Sequence, residues 1–263
     1  MNHDSSTIGW NRNSKDWCDA VAADAIEGHP TIDPGVLFID RLFGWMGDLA
    51  GQRVLDLGCG EGRHARVAAQ RGADVTAIDC ASFSIACAEE KAREAGLQIT
   101  HHIRNSNDLY GIEDSSFNMV LCTMMLMDCE DLAGTIQEIS RVLKPSGRLF
   151  VSVLHPCFAT SGKDREGIGR MDSGLDKKVV VKNYFYPTQW EEPLFEGGPP
   201  VVWHHRTLQD YVKAFAACGL ALVDLNEPVP TQEQAALAVN VARLQKIPMF
   251  LFMEMQKLTA SRS

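Results

Sequence analysis

The stretch Val54-Leu55-Asp56-Leu57-Gly58-Cys59-Gly60-Glu61-Gly62-Arg63-His64 decides how this chain folds. Arg53 to Leu57 is a short apolar run of the kind that forms a buried parallel strand. Gly58, Gly60 and Gly62 break that run on alternate positions, and helical patterning resumes at Arg63. Glycines there let the main chain turn sharply and let a ligand approach without a Cβ in the way. The next strand, Asp74 to Ile78, ends on Asp79, about twenty residues on, where an acid can take a ribose diol. Loop and acid together mark an adenosine-type cofactor site.

Outward from that stretch, strands and helices alternate. Strand 53–57 leads to helix 63–71 and its stop at Gly72; strand 74–79 leads to helix 83–95 and Gly96. Strands 98–104 and 117–123 follow, then helix 131–143 with Leu132, Ile136, Ile139 and Leu143 at helical spacing. A Lys144-Pro145-Ser146-Gly147 turn enters strand 148–154. Such alternation makes an α/β fold with a doubly wound, mostly parallel sheet of about seven strands, counting 220–225 and 248–256.

Residues 1–50 read as an N-terminal helical segment. One helix runs from Ser14 to Ile26; a second has Asp33 as N-cap and Pro34 at its first position, with Val36, Ile39, Phe43 and Met46 on one face. Residues 51–154 form the cofactor-binding core, and 155–206 an inserted cap with a hairpin around 178–186. Residues 207–258 complete the core sheet, opening on a capping box at Thr207-Leu208-Gln209-Asp210, and 259–263 are a tail.

A dinucleotide fingerprint is Gly-x-Gly-x-x-Gly, with the helix N-terminus facing a pyrophosphate. Here the glycines alternate strictly, with Asp56 inside the strand and Glu61 in the loop. Two carboxylates would repel a pyrophosphate and attract an ammonium or a sulfonium. Nicotinamide chemistry therefore fits poorly.

The loop resembles motif I of the class I S-adenosylmethionine-dependent methyltransferases. Ala77-Ile78-Asp79 resembles the second motif of that family. Asn105-Ser106-Asn107-Asp108-Leu109 resembles the segment after its third strand, where many members carry Asp at the position of Asn105. Ser115 to Val120 is similar to the entry of the fourth strand, with Asn118 in place of the usual Asp. Glu138 to Arg148 is close to the run that precedes the fifth. The likeness covers Val54 to Leu154. It implies a Rossmann-like sheet whose last two strands form an antiparallel hairpin, S-adenosylmethionine as cofactor, and methyl transfer to an oxygen or nitrogen of a small organic acceptor.

In such sheets ligands lie beyond the carboxyl ends of the strands. The resemblance assigns Gly58, Cys59, Gly60 and Gly62 to the methionine portion, with Asp56 near its ammonium or bracing the loop. Asp79 takes the ribose, Asn105 and Ser106 the adenine, and Cys80 or Leu109 packs on the base. Cys122 closes the cofactor set at the end of the fourth strand. His155, where the fifth strand runs out, is the candidate catalytic base, since imidazole titrates near working pH. Met127, Tyr184, Tyr186, Trp203, His205 and Arg206 are the candidate acceptor wall, with Arg206 suited to clamp an anion. Asp128 is either a helix cap or an acceptor contact. Trp10 and Trp17 either fold over the cofactor or join the core.

Composition narrows the partners. The net charge of −9 and the absence of a long Lys/Arg run argue against a nucleic-acid substrate. Eight scattered cysteines show no C-x-x-C pair, which points to reduced thiols in a cytoplasmic protein without a metal site. No stretch approaches the roughly 20 apolar residues of a membrane span. Two alternatives to small-molecule methylation stay open: a non-catalytic cofactor-binding regulatory module, and a methyltransferase acting on RNA or protein.

Overall fold

A strand buried on both faces must be apolar on both, and β1 (Arg53–Leu57) is: Val54, Leu55 and Leu57 are buried, with Asp56 buried among them. The structure, a computed structural model, describes residues 4–27, 37–158, 181, 183–193, 198–237 and 239–259. Beside β1 lie β2 (Asp74–Asp79) and β4 (Phe117–Thr123), with β3 (Ile99–Ile103) outside β2 and β5 (Leu143–Leu154) outside β4. β8 (Leu220–Asn226) forms the far edge, and β9 (Phe250–Lys257) runs antiparallel between β5 and β8. The seven-stranded order β3-β2-β1-β4-β5-β9-β8 is the expected doubly wound sheet with its closing hairpin. Because the chain winds outward from β1 and then returns to β4, the order reverses between those two strands. In open sheets of this kind the ligand crevice lies there, at the carboxyl ends of the two strands.

Alternating residues feed two cores. Val54, Met119 and Leu121 face α2 (Ile39–Met46) and α3 (Arg63–Gln70), where Leu42, Phe43, Met46, Ala65 and Ala68 are buried. Leu55, Val120 and Cys122 face the other way, onto Leu132, Ile136 and Ile139 of α5 (Leu132–Val142) and Tyr211 and Phe215 of α6 (Leu208–Ala217). Helix α4 (Ser82–Glu94) joins β2 to β3; α7 (Gln232–Leu237) and α8 (Val239–Arg243) precede β9. The Thr207–Asp210 capping box is present in full.

Three expectations need correction. The first helix, α1, spans Ser5–Glu27 and starts well before Ser14. The expected start of the second, at Asp33, Pro34 and Val36, lies outside the described residues; Leu37 is already helical, and α2 carries Phe43 and Met46 on its buried face. The Lys144–Gly147 turn is a bulge inside β5: Leu143 already pairs with Phe117, and pairing resumes at Arg148 and Met119 past Ser146 at φ 61°.

The cap hairpin is the third. Among the described residues 183–187 hold no strand, and the hairpin of the cap pairs β6 (Thr188–Pro193) with β7 (Pro200–His205). Residues 178–180 and 182 lie outside the described set; 184 and 185 form a turn. Trp190 and Trp203, directly opposite, stack at 6.3 Å and 13°, and such a cross-strand aromatic pair fixes register. Pro193 and Pro200 pair at the hairpin's loop end, the ladder positions beside the connection, where a missing N–H is tolerated.

Candidate functional site

After β1 the loop keeps φ values of 75°, 53° and 78° at Gly58, Gly60 and Gly62. Space excludes side chains as well: a Cβ on Gly58 would stand 2.5 Å from Met125 Cγ, and one on Gly62 2.9 Å from Ala88 Cβ. The amides of Gly58 and Cys59 donate to Ile78 O at 2.8 and 3.0 Å. Gly60 N donates to Asp79 Oδ2 at 2.8 Å, and Ala81 N to Asp79 Oδ1 at 2.9 Å. Asp79 thus locks the glycine loop to the end of β2.

Glu61 takes no part in the crevice. Its carboxylate meets Arg66 at 2.8 Å, Lys91 at 2.7 Å and Arg63 at 3.3 Å. Burial raises its pKa, but the Lys91 and Arg66 contacts outweigh that and hold it below the usual range. The acidity of the site comes from elsewhere. Asp56 is 1% exposed and neither carboxylate oxygen makes a well-formed hydrogen bond, although the Ala65 amide lies near enough to favour the charged form. Burial, with the charges of Asp79 and Glu61, pushes its pKa up to about 7, against weaker opposition from the Ala65 amide and Arg66. Burial also raises Asp79, opposed by the amides of Ala81 and Gly60.

Asp128 is the third acid. It is buried, its Oδ1 lacks a partner, and burial holds its pKa far above the ordinary value despite the Trp10 indole and Arg206. The cap of α5 is instead Asp131, which accepts Gly134 N at 2.8 Å. Asp79 lies within electrostatic reach of both Asp56 and Asp128. None of the three forms an ion pair among the described residues, so a cationic ligand would relieve them. No group of three metal-ligating side chains occurs among the described residues.

The remaining cofactor candidates divide. Asn105 Nδ2 donates to Asp4 Oδ2 at 3.1 Å and to Thr7 Oγ1 at 2.9 Å. Cys80 is half-buried at the end of β2, its carbonyl accepting Asn11 Nδ2 at 3.2 Å. The Ser106 hydroxyl turns to Thr135 Oγ1 at 2.8 Å, so it braces α5 rather than meeting a base. Cys122 is sealed in the core, where the pleat turns it away from any ligand. The Cys59 thiol is core too, leaving only its main chain in the loop.

Helix α1 crosses the mouth of the crevice. Ser5 binds Glu130 Oε2 through its amide and hydroxyl at 3.1 and 2.7 Å, and Asn11 Oδ1 accepts Ser82 N at 3.4 Å. Trp10 reaches Asp128, Trp17 Nε1 lies 3.8 Å from the Cβ position of Gly60, and Gly9 packs on Val201 of β7. The buried face of this helix is polar: Ser6, Thr7, Asn13 and Ser14. That composition hides its first half from a search for apolar periodicity, and with it the roles of Asp4, Thr7 and Trp10.

The candidate base and acceptor wall look different in place. His155 Nδ1 accepts Cys157 N at 3.2 Å, which makes Nε2 the protonated atom, donating to Glu227 Oε1 at 2.8 Å. Burial lowers its pKa, against the pull of Glu227. Both nitrogens are thus engaged in this structure, and the ring ties β5 to the end of β8. Arg206 is engaged as well: it donates to the carbonyls of Leu126 at 2.8 Å, Glu130 at 3.4 Å and Cys129. His205 Nε2 bonds Tyr184 O at 2.9 Å, and Tyr184 Oη accepts Leu208 N at 3.0 Å. Trp203 packs on Trp190 and the core. Met127 is buried, its carbonyl accepting His204 N at 2.9 Å, whereas Tyr186 is largely exposed. These residues hold the cap against the loop after β4; what that loop offers the crevice is Asp128 with Met125 over Gly58.

Comparison with known proteins agrees with this geometry. Residues 55–151 match the family model of the methyltransferase domain. A ubiquinone biosynthesis O-methyltransferase of Xanthomonas oryzae pv. oryzae (strain PXO99A) is 38% identical over 127 residues, covering 47% of this chain and 53% of the relative. One from Xylella fastidiosa (strain 9a5c) is 39% identical over 111 residues, 42% of this chain and 45% of the relative. The chain thus spans about half the length of the curated relatives it matches. A putative S-adenosylmethionine-dependent methyltransferase from Listeria monocytogenes superposes with TM-score 0.69 at 25% identity, covering 84% of this chain and 97% of that one. One from Mesorhizobium loti gives 0.70 at 25%, covering 84% and 98%. Glycine loop, strand order and these likenesses converge: residues 55–151 form a methyltransferase domain, and the chain is similar in fold and sequence to S-adenosylmethionine-dependent methyltransferases.

Proposed function

We propose that this protein transfers the methyl group of S-adenosylmethionine to an oxygen or nitrogen of a small organic acceptor, releasing S-adenosylhomocysteine. The observation that carries the reading is a set of three mutually interacting carboxylates, buried Asp56 and Asp128 and half-buried Asp79, the last bonded to the glycine loop at the β1/β4 switch point. Such a crevice suits a positively charged nucleoside and disfavours a pyrophosphate. The main chain at Gly58–Gly62 would hold the methionine portion, Asp79 the ribose and Asn105 the adenine.

The cofactor, when bound, supplies a methyl group on a sulfonium, an intrinsically good leaving group. The protein's task is then to align and to exclude water. Effective molarities of about 10⁵–10⁸ M are available from alignment alone, so no strong base is required. That accords with His155 being engaged on both ring nitrogens. Helix α1 and the β6–β7 hairpin would screen the reacting atoms from solvent.

The printed names of the curated relatives favour an oxygen acceptor. The net charge of −9 and the absence of a long Lys/Arg run disfavour RNA. A cytoplasmic location is supported by eight free thiols. Among the described residues no helix is long and apolar enough to cross a membrane.

Calorimetry against S-adenosylmethionine, S-adenosylhomocysteine and NADH tests the cofactor. Binding of the first two and not the third is expected; the reverse would sink the reading. Radiolabelled methyl transfer to a panel of phenols and amines tests the chemistry. Tight binding with no turnover on any acceptor would instead favour a regulatory module.

A further inference from the structure

Asn105 stands where many family members carry an acid, and the two side chains are not equivalent. A carboxylate presents an acceptor oxygen in either orientation. A carboxamide does so only when its oxygen, not its nitrogen, faces the ligand. Something must therefore fix the amide, and two residues of the N-terminal segment do.

Asp4 Oδ2 and Thr7 Oγ1 both accept from Asn105 Nδ2, at 3.1 and 2.9 Å. Asp4 is held in place by capping α1, its Oδ1 accepting Thr7 N at 2.7 Å. Burial raises its pKa, yet hydrogen bonds from Thr7 and Asn105 outweigh this and keep it ionised, so it only accepts. A flipped amide would set its oxygen against that carboxylate and lose the bond. Among the described residues Asn105 Oδ1 accepts no hydrogen bond, so the oxygen is the atom left for a ligand.

We propose that Asp4 and Thr7 are positioning residues for base selection: they lock Asn105 with its oxygen toward the ligand, so the site takes a 6-aminopurine and rejects a 6-oxopurine. The proposal rests on the adenosyl reading of the crevice. An adenine amino group donates to that oxygen, whereas a hypoxanthine carbonyl would face it acceptor to acceptor.

The test compares S-adenosylhomocysteine with S-inosylhomocysteine by calorimetry on the full chain. Wild type should favour the adenine ligand by at least about 100-fold, as expected where a buried polar group would otherwise be unpaired. The double variant D4N/T7V keeps a capping side chain at 4 and the shape of Thr7. It should bind the adenine ligand about tenfold more weakly, bind the inosine ligand more tightly, and bring the ratio below about tenfold. Adding N105D, which only accepts, should restore the preference. An unchanged ratio in D4N/T7V overturns the proposal, and so does an equal loss for both ligands that N105D does not reverse. If wild type binds S-adenosylhomocysteine without discriminating between the bases, only the selection claim falls. If it binds neither, the adenosyl reading itself has failed and takes the proposal with it.

Discussion

Asp79 Oδ2 accepts the Gly60 amide at 2.8 Å across nineteen residues of sequence, joining the end of β2 to the loop that follows β1. The second oxygen accepts Ala81 N at 2.9 Å, at the start of α4. One carboxylate therefore shapes the cradle, and on the proposed reading it also takes the ribose. Asp79→Ala strands both amides and should cost about 1–3 kcal/mol of stability. It should also weaken S-adenosylmethionine about 100-fold, the loss of roughly two charge-assisted hydrogen bonds. Asp79→Asn, which keeps one acceptor oxygen, should fall between. Calorimetry with thermal denaturation decides; a folded Asp79→Ala protein with wild-type affinity removes this residue from the site.

The three loop glycines are not equivalent. Gly58 has φ 75°, and a Cβ there would press to 2.5 Å on Met125 Cγ. Gly60 has φ 53° and only Trp17 Nε1, at 3.8 Å, near the added atom. Gly58→Ala should cost about 2–4 kcal/mol, combining left-handed strain with overpacking. Gly60→Ala should cost only about 1–2 kcal/mol, the backbone share. Met125→Ala added to Gly58→Ala should recover the steric share alone. Urea midpoints read all three, and equal destabilisation at 58 and 60 would contradict the packing described.

Most of the sheet was readable from sequence because buried parallel strands announce themselves as short apolar runs between glycine stops. β4 was placed residue for residue, Phe117–Thr123, for that reason. Helix α1 was cut short because its buried face is Ser6, Thr7, Asn13 and Ser14, which reads as solvent-facing when periodicity is sought in apolar residues. The cofactor cradle was legible through backbone-determined positions: Gly58, Gly62 and Asp79 act through φ, space and main-chain amides. The acceptor side was not. His155, His205 and Arg206 have chemistry-bearing side chains, yet their partners, Glu227, Tyr184 O and the carbonyls after β4, sit 72, 21 and 76 to 80 residues away. Sequence gives no hint that such groups are already engaged.

Arg206 offers a direct check on that engagement. Its guanidinium gathers the carbonyls of Leu126, Cys129 and Glu130, and meets the Tyr211 hydroxyl. A lysine carries the charge but lacks the planar fork. Arg206→Lys should therefore destabilise by about 2–3 kcal/mol, close to Arg206→Met, because both leave carbonyls unpaired. Were the residue an anion clamp, the lysine variant would keep stability and lose only binding of acidic acceptors. Chemical denaturation of the two variants separates these outcomes.

Asp56 sets a pH dependence whose sign is fixed. Burial raises its carboxyl to about 7, helped by the charges of Asp79 and Glu61 and opposed by the Ala65 amide and, less, by Arg66. Relative to an unfolded value near 3.9, this group's contribution to stability is fully present below that value and lost as pH rises through about 7. The unliganded protein should thus lose stability between roughly pH 4 and 7 on account of Asp56, and Asp56→Asn should flatten that slope. Ligand binding should run the opposite way. A cationic cofactor favours the ionised carboxylate, so below about pH 7 binding must release a proton, and affinity should fall about tenfold per unit of acidification before levelling above neutrality. His64, pushed down to about 4 by burial, titrates well below neutrality, and burial lowers His155 as well. Calorimetry of S-adenosylmethionine in buffers of different ionisation enthalpy measures the proton directly. Release of about one proton at pH 6, absent in Asp56→Asn, is the expected result; identical proton counts in the two proteins would mean that Asp56 does not face the cofactor.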